Sequence, residues 1–152
     1  RLGVYLAISG RGLGAWENCA LYREVSDGDF RLQEIIDAPS PVGIGQTDLD
    51  SWSDELVKDE TTQLDIYFFD DIELENAVQS DIDRYPTLNL LRVGDEWMQF
   101  LTATPISLPI DSTYKSAWRI EDLWRGSFQT TAEMGAHGTG EYAALVTPAL
   151  RF

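Results

Sequence analysis

Cysteine and histidine are almost absent from this chain: one of each occurs in 152 residues. Cys19 alone cannot form an internal disulfide, so packing must hold the fold, and the thiol count suits assembly in a reducing cytoplasm. Flanked by Asn18 and the apolar run Ala20, Leu21, Tyr22, it reads as a small core residue rather than a reactive thiol. One histidine and one cysteine fall short of a zinc ligand set. The calcium-loop pattern D-x-[DN]-x-[DN]-G is missing too, as is a G-x-S-x-G nucleophile elbow, so neither a metal nor a cofactor nor a catalytic set is expected.

Positive charge is also scarce. Eleven basic residues face 26 acidic ones, a formal net charge of -15, which argues against nucleic-acid binding because that mode needs Lys and Arg on the phosphates. Anionic membranes are disfavoured on the same ground. The acidity itself reads as a solvated, self-repelling surface, the functional alternative being docking onto a basic partner or collecting cations. No apolar run approaches the roughly 20 residues that span a bilayer, and no signal peptide is recognisable. The chain opens at Arg1 without an initiator methionine and is expected to be a fragment of a longer polypeptide, its residues 1–152 forming one domain.

What the chain does have is alternation and turn chemistry. Gly3 to Ser9, Cys19 to Val25 and Phe30 to Ile36 read as strands, with Asp27-Gly28 as a tight turn between the last two. Pro39 and Pro41 leave Ala38 to Gly45 as either a loop or an edge strand. Thr47 to Thr62, rich in acids and without periodicity, reads as an exposed connection in which Ser51 to Val57 can form a helical turn. Gln63 to Phe69 places Leu64, Ile66 and Phe68 on one face. Asn76 to Arg84 is a short helix candidate, with Asn76 as N-cap and Pro86 as its stop. Leu88 to Val93 and Glu96 to Thr102 flank a Gly94-Asp95 turn, and Ala117 to Leu123 and Glu141 to Val146 supply further strands. The expected fold is therefore mainly β, a twisted antiparallel sandwich or partly open barrel with one short helix.

Two blocks carry more than a pattern. Trp118 to Phe152 reads W-R-I-E-D-L-W-R-G-S-F-Q-T-T-A-E-M-G-A-H-G-T-G-E-Y-A-A-L-V-T-P-A-L-R-F: a strand, an Arg125-Gly126 corner, a glycine-rich loop with His137, then Gly140-Glu141 and an apolar strand. Upstream, L-N-L-L-R-V-G-D-E-W-M-Q-F-L-T-A-T gives a strand, a G-D-E turn and a Q-F strand. Together they resemble a domain of phage tail-tip and baseplate-hub proteins, including the hub proteins of gene-transfer-agent particles. The matched blocks span about half the chain. One departure stands out: that family follows its R-G corner with basic residues and a further G-T-E, where this chain has Ser127 to Thr131.

The resemblance implies a non-enzymatic virion structural module, located in the tail and assembled in the host cytoplasm, that packs on other tail proteins, with a homotrimer in the parent assembly as a candidate state. It implies structural roles: Asp95 and Glu96 setting the hairpin, Arg125 and Gly126 the corner, His137, Gly140 and Glu141 the loop. Arg125 and His137 are expected to be at least partly buried, bonded to backbone, and worth about 1 to 3 kcal/mol each.

Three other readings stay beside this one. Of five tryptophans, Trp97 and Trp118 read as core, while Trp16, Trp52 and Trp124 lie at loops or strand ends and are candidate glycan or partner contacts, which leaves a carbohydrate-binding module in host recognition as the alternative function. Asp70, Asp71, Glu73 and Glu75 form the densest acidic group, readable as a glycosidase pair or as a charged strand edge that resists strand addition. Gly10-Arg11-Gly12-Leu13-Gly14 lacks the G-K-[ST] ending of a phosphate loop and reads as a loop between strands.

Overall fold

The computed structural model describes residues 6–9 and 18–146. The glycine loop at Gly10 to Gly14 and Trp16 lie outside that range. Of the expected strand Gly3 to Ser9, Leu6 to Ser9 is described; Ala7 to Ser9 are not in a strand, and Ile8 is tied to Ser40 through backbone, the Ser40 N–H donating to the Ile8 carbonyl at 2.6 Å.

The fold is mainly β with one short helix. Strands β1 (Cys19–Ser26) and β2 (Asp29–Ile36) form a two-stranded sheet closed by the Asp27-Gly28 turn, in which Gly28 takes φ +76°. The remaining strands are β3 (Val42–Gly45), β4 (Leu64–Phe68), β5 (Leu90–Val93), β6 (Glu96–Pro105), β7 (Ser116–Ser127) and β8 (Tyr142–Leu145). They make a closed barrel in the order β3-β4-β7-β6-β5-β8, every ladder antiparallel. Of the two architectures the sequence left open, the barrel is the one formed, and it is closed rather than partly open. It closes because β8 pairs with β3 on one side and β5 on the other, which removes the free edges an open sheet would expose.

Period-two alternation fills the interior. Leu64, Ile66 and Phe68 meet Leu91, Val93, Met98, Phe100, Ile120 and Leu123 in one cluster. Outward-facing residues of β4 are covered as well: Asp65 takes a bidentate pair from Arg119 at 2.7 and 2.9 Å, and Tyr67 packs on Tyr114 together with Phe69, the residue after the strand. Helix α1 (Gln79–Arg84) lies against β6 and buries Ile82. It starts later than expected. Val78, not Asn76, occupies the N-cap, and the Asn76 carboxamide accepts from the Ala103 N–H at 2.8 Å. Its end at Tyr85, in extended conformation before Pro86, follows from the clash proline imposes on the residue before it.

Several expectations are corrected. Ala38 to Gly45 holds neither a loop nor an edge strand throughout, since β3 sits between two partners. Gly43 permits this: a Cβ there would approach the Tyr67 carbonyl to 2.6 Å. The segment 47–62 is not simply exposed. Leu49 and Asp59 are fully buried and bridge His137 and Leu123 respectively, while within Ser51 to Val57 a single turn forms, the Val57 N–H donating to the Asp54 carbonyl at 3.2 Å. Cys19 is half-exposed on the hairpin and outside the core cluster, because β1 and β2 are not barrel strands. Trp97 and Trp118 are half-buried and outside the core cluster: Trp118 packs against it, and Trp97 packs on Phe128. Asp70 to Glu75 belongs to an irregular connection, so its charge does not guard a strand edge.

Candidate functional site

Alternation along β6 puts Glu96 on the same face as Met98 and Phe100, and alternation along β7 puts Arg125 with Leu123. Both side chains therefore point inward at one end of the barrel. They cannot be left unpaired there, since an isolated buried charge is prohibitively costly. They meet as a fork: Arg125 Nε donates to Glu96 Oε1 and Nη2 to Oε2, each at 2.7 Å, with both side chains at 0% exposure. Glu96 Oε1 also accepts from the Gly126 N–H at 2.9 Å.

The remaining valences reach outward to two long connections. Arg125 donates to the carbonyls of Asp50 (3.0 Å) and Gly135 (3.2 Å), and Asp59 stands 3.6 Å away as a second buried carboxylate. His137 lies between two acids, its Nε2 2.7 Å from Glu96 Oε2 and its Nδ1 2.7 Å from Glu141 Oε2. A neutral imidazole has one N–H and can donate to only one of them; donating to both takes the imidazolium form. The His137 backbone is used too, exchanging both hydrogen bonds with Leu49 at 2.8 and 2.9 Å.

Asp59 is held by its own loop. Burial pushes its carboxyl upward, but hydrogen bonds from the Thr62 hydroxyl, the Thr61 and Thr62 N–H groups and the Thr61 hydroxyl outweigh it and hold the group below its ordinary 3.8. Asp48 does the same for the neighbouring loop: it accepts from Thr139 N–H at 2.9 Å and its hydroxyl at 3.0 Å, and these bonds lower its carboxyl. Gly126 completes the geometry with φ +67°, and a Cβ at that position would collide with the Met134 side chain.

The sequence-derived residues thus divide. Glu96, Arg125, Gly126, His137 and Glu141 come together in one constellation. Asp95 stays outside it, exposed in the turn and paired with Arg92 at 2.5 Å. Glu96 is the hub of this constellation rather than a turn acid. Gly140, at φ +100°, ends the loop by donating its N–H to the Gly45 carbonyl at 2.9 Å. Arg125 and Gly126 are strand residues, since β7 continues to Ser127 and the chain turns at Phe128 and Gln129. His137 bonds carboxylates through its ring and backbone only through its main chain. Sequence reasoning missed Asp59, Asp50 and Leu49, which lie in an aperiodic acidic stretch.

Chemically the constellation is saturated. Each Glu96 oxygen has two partners and each histidine nitrogen faces a carboxylate, so Glu96 and Arg125 offer no free group to solvent, while the Glu141 side chain is 37% exposed at the edge of the constellation. A small cavity of about 290 Å³ beside it is lined by Gly94, Asp95, Glu133, His137 and Glu141. Among the described residues no group of three or more His, Cys, Asp or Glu side chains is arranged to hold a metal ion, and no helix is long and apolar enough to cross a membrane.

Of the tryptophans, Trp52 spends its indole N–H on the carbonyls of Asp54 (2.9 Å) and Val57 (3.0 Å), so it staples its own loop. Trp124 lines an open cavity of about 610 Å³ and donates to Gln79 Oε1 at 2.9 Å. Asp70 accepts from Ser9 at 3.0 Å, while Asp71, Glu73 and Glu75 are exposed.

A protein-family model described as Rcc01698-like, C-terminal, matches residues 40–144, which takes in the barrel from just before β3 into β8 and leaves out the β1–β2 hairpin. A search of curated proteins returns no match.

Proposed function

We propose that this chain, which belongs to the Rcc01698-like, C-terminal family, is a non-enzymatic structural module of a phage tail tip or baseplate hub that packs against neighbouring tail subunits. The observation that carries the reading is the saturated constellation. Its one histidine and its buried arginine, the residues best suited to chemistry, are consumed in joining loops to barrel. The residue blocks resembling tail-hub proteins lend independent support, and the parent assembly would be a symmetric oligomer, a trimer in the simplest case. The hairpin outside the family match suits packing on a neighbour, since Tyr22, Phe30 and Leu32 are more than half or half exposed on it.

Antibody labelling of tailed particles from the strain that encodes the chain tests this directly. The expected result is label at the tail tip and the polypeptide in the purified particles. A chain confined to the particle-free fraction overturns the reading.

A further inference from the structure

Beyond that structural role, we infer that the groove between α1 and the end of β7 binds a neutral oligosaccharide. The groove is an open cavity of about 610 Å³, within the size range of small-molecule sites. One wall is β7 and the turn after it, carrying Trp124 and Phe128; another is α1, carrying Gln79 and Asp83; Glu55 comes from the loop that Trp52 staples.

Phe128 is the informative residue. The residue is 54% exposed, with backbone φ +54° and Gln129 following at φ +67°, two successive left-handed residues without glycine. Trp97 packs on the ring at 6.3 Å between centroids and 59° between planes, and Phe128 lines the cavity. Trp124 presents a second half-exposed ring, fixed by its bond to Gln79, which in turn donates to Asp83 at 2.8 Å. Aromatic faces take the C–H faces of sugar rings, and side-chain amides and carboxylates take the hydroxyls.

The electrostatics choose the class of sugar. Among the described residues lining the groove, Arg125 is the one cation, and it is fully buried and committed to Glu96. Glu55 and Asp83 are acidic, and the chain carries -15. Phosphates, sialic acids and uronic acids are repelled, whereas uncharged hydroxyls find acceptors.

The test is titration of the isotopically labelled protein with neutral oligosaccharides, namely cello-, chito-, laminari-, malto- and manno-oligosaccharides, against polygalacturonate fragments and an extended neutral peptide. We expect at least one neutral sugar to shift the Trp124 indole N–H and the Phe128 and Gln129 amides, and polygalacturonate to shift none. Phe128→Ala and Asp83→Asn, both at exposed positions, should each weaken that sugar by about tenfold while leaving core amide resonances in place. No shift at these positions with any neutral sugar overturns the inference. So does binding of the peptide or the acidic sugar alone, or a sugar site elsewhere on the surface.

Discussion

At the scale of single residues, the energetics turn on what remains when one partner is removed. A buried fork of this kind contributes little net stability against an apolar pair of equal volume, yet losing one member strands a desolvated charge. Arg125→Met and Glu96→Gln should therefore each destabilise the protein by about 3 to 5 kcal/mol, more than the loss of an ordinary hydrogen bond, because Arg125 faces a carboxylate in the core. The double variant should lose less than the sum of the two. Urea unfolding of all three checks this, and additive losses would mean the pair is uncoupled. Asp59 gives a pH prediction. Its carboxyl is held below 3.8 in the folded protein, so its contribution is fully present above that value and is lost as pH falls through the folded value. In an unfolding series across the acid range, Asp59→Asn should flatten the loss of stability below 3.8. An acid limb identical to that of the parent would contradict it.

At the scale of elements, the two parts of the fold differ in what holds them. A two-stranded hairpin is marginal without a packed face, whereas barrel strands have partners on both sides and a shared interior. Amides of β1 and β2 should exchange with deuterium well ahead of those in β4 and β7; equal protection would mean the hairpin is as firmly held as the barrel. The hairpins were legible in the sequence because Asp27-Gly28 and Gly94-Asp95 supply the backbone freedom a two-residue turn needs. Strand β3 was not, since Pro41, Gly43 and Gly45 are poor strand residues, and the close approach that requires Gly43 is set by β4. Half of the site was readable in principle. Extending the Met98–Phe100 parity back by one step puts Glu96 inside, and extending Leu123 forward puts Arg125 beside it. Their pairing across 29 residues had no local signal. Nor did Leu49 and Asp59, which are anchored by single bridges rather than by strands and so leave no alternation behind.

At the scale of the whole molecule, the constellation is a clasp across one end of the barrel. Glu96 binds Arg125 and His137; Arg125 reaches Asp50 and Asp59 in the segment 47–62; His137 and Gly135 belong to the loop before β8. Two long connections are thereby fixed to barrel strands, and to each other through Leu49 and His137. The barrel and these two connections should behave as one cooperative unit, a property suited to a module that bears contacts inside an assembly.

Native-state hydrogen exchange tests that most directly, through the bridging amides of Leu49, Asp59, Leu123 and His137. The account predicts that in the parent they open with the same free energy as core amides such as Ile66 and Phe100, and that in Glu96→Gln those of Leu49, Asp59 and His137 lose protection together. If these three exchange like free loops in the parent, or keep their protection in the variant, Glu96 is not the clasp that holds the connections down.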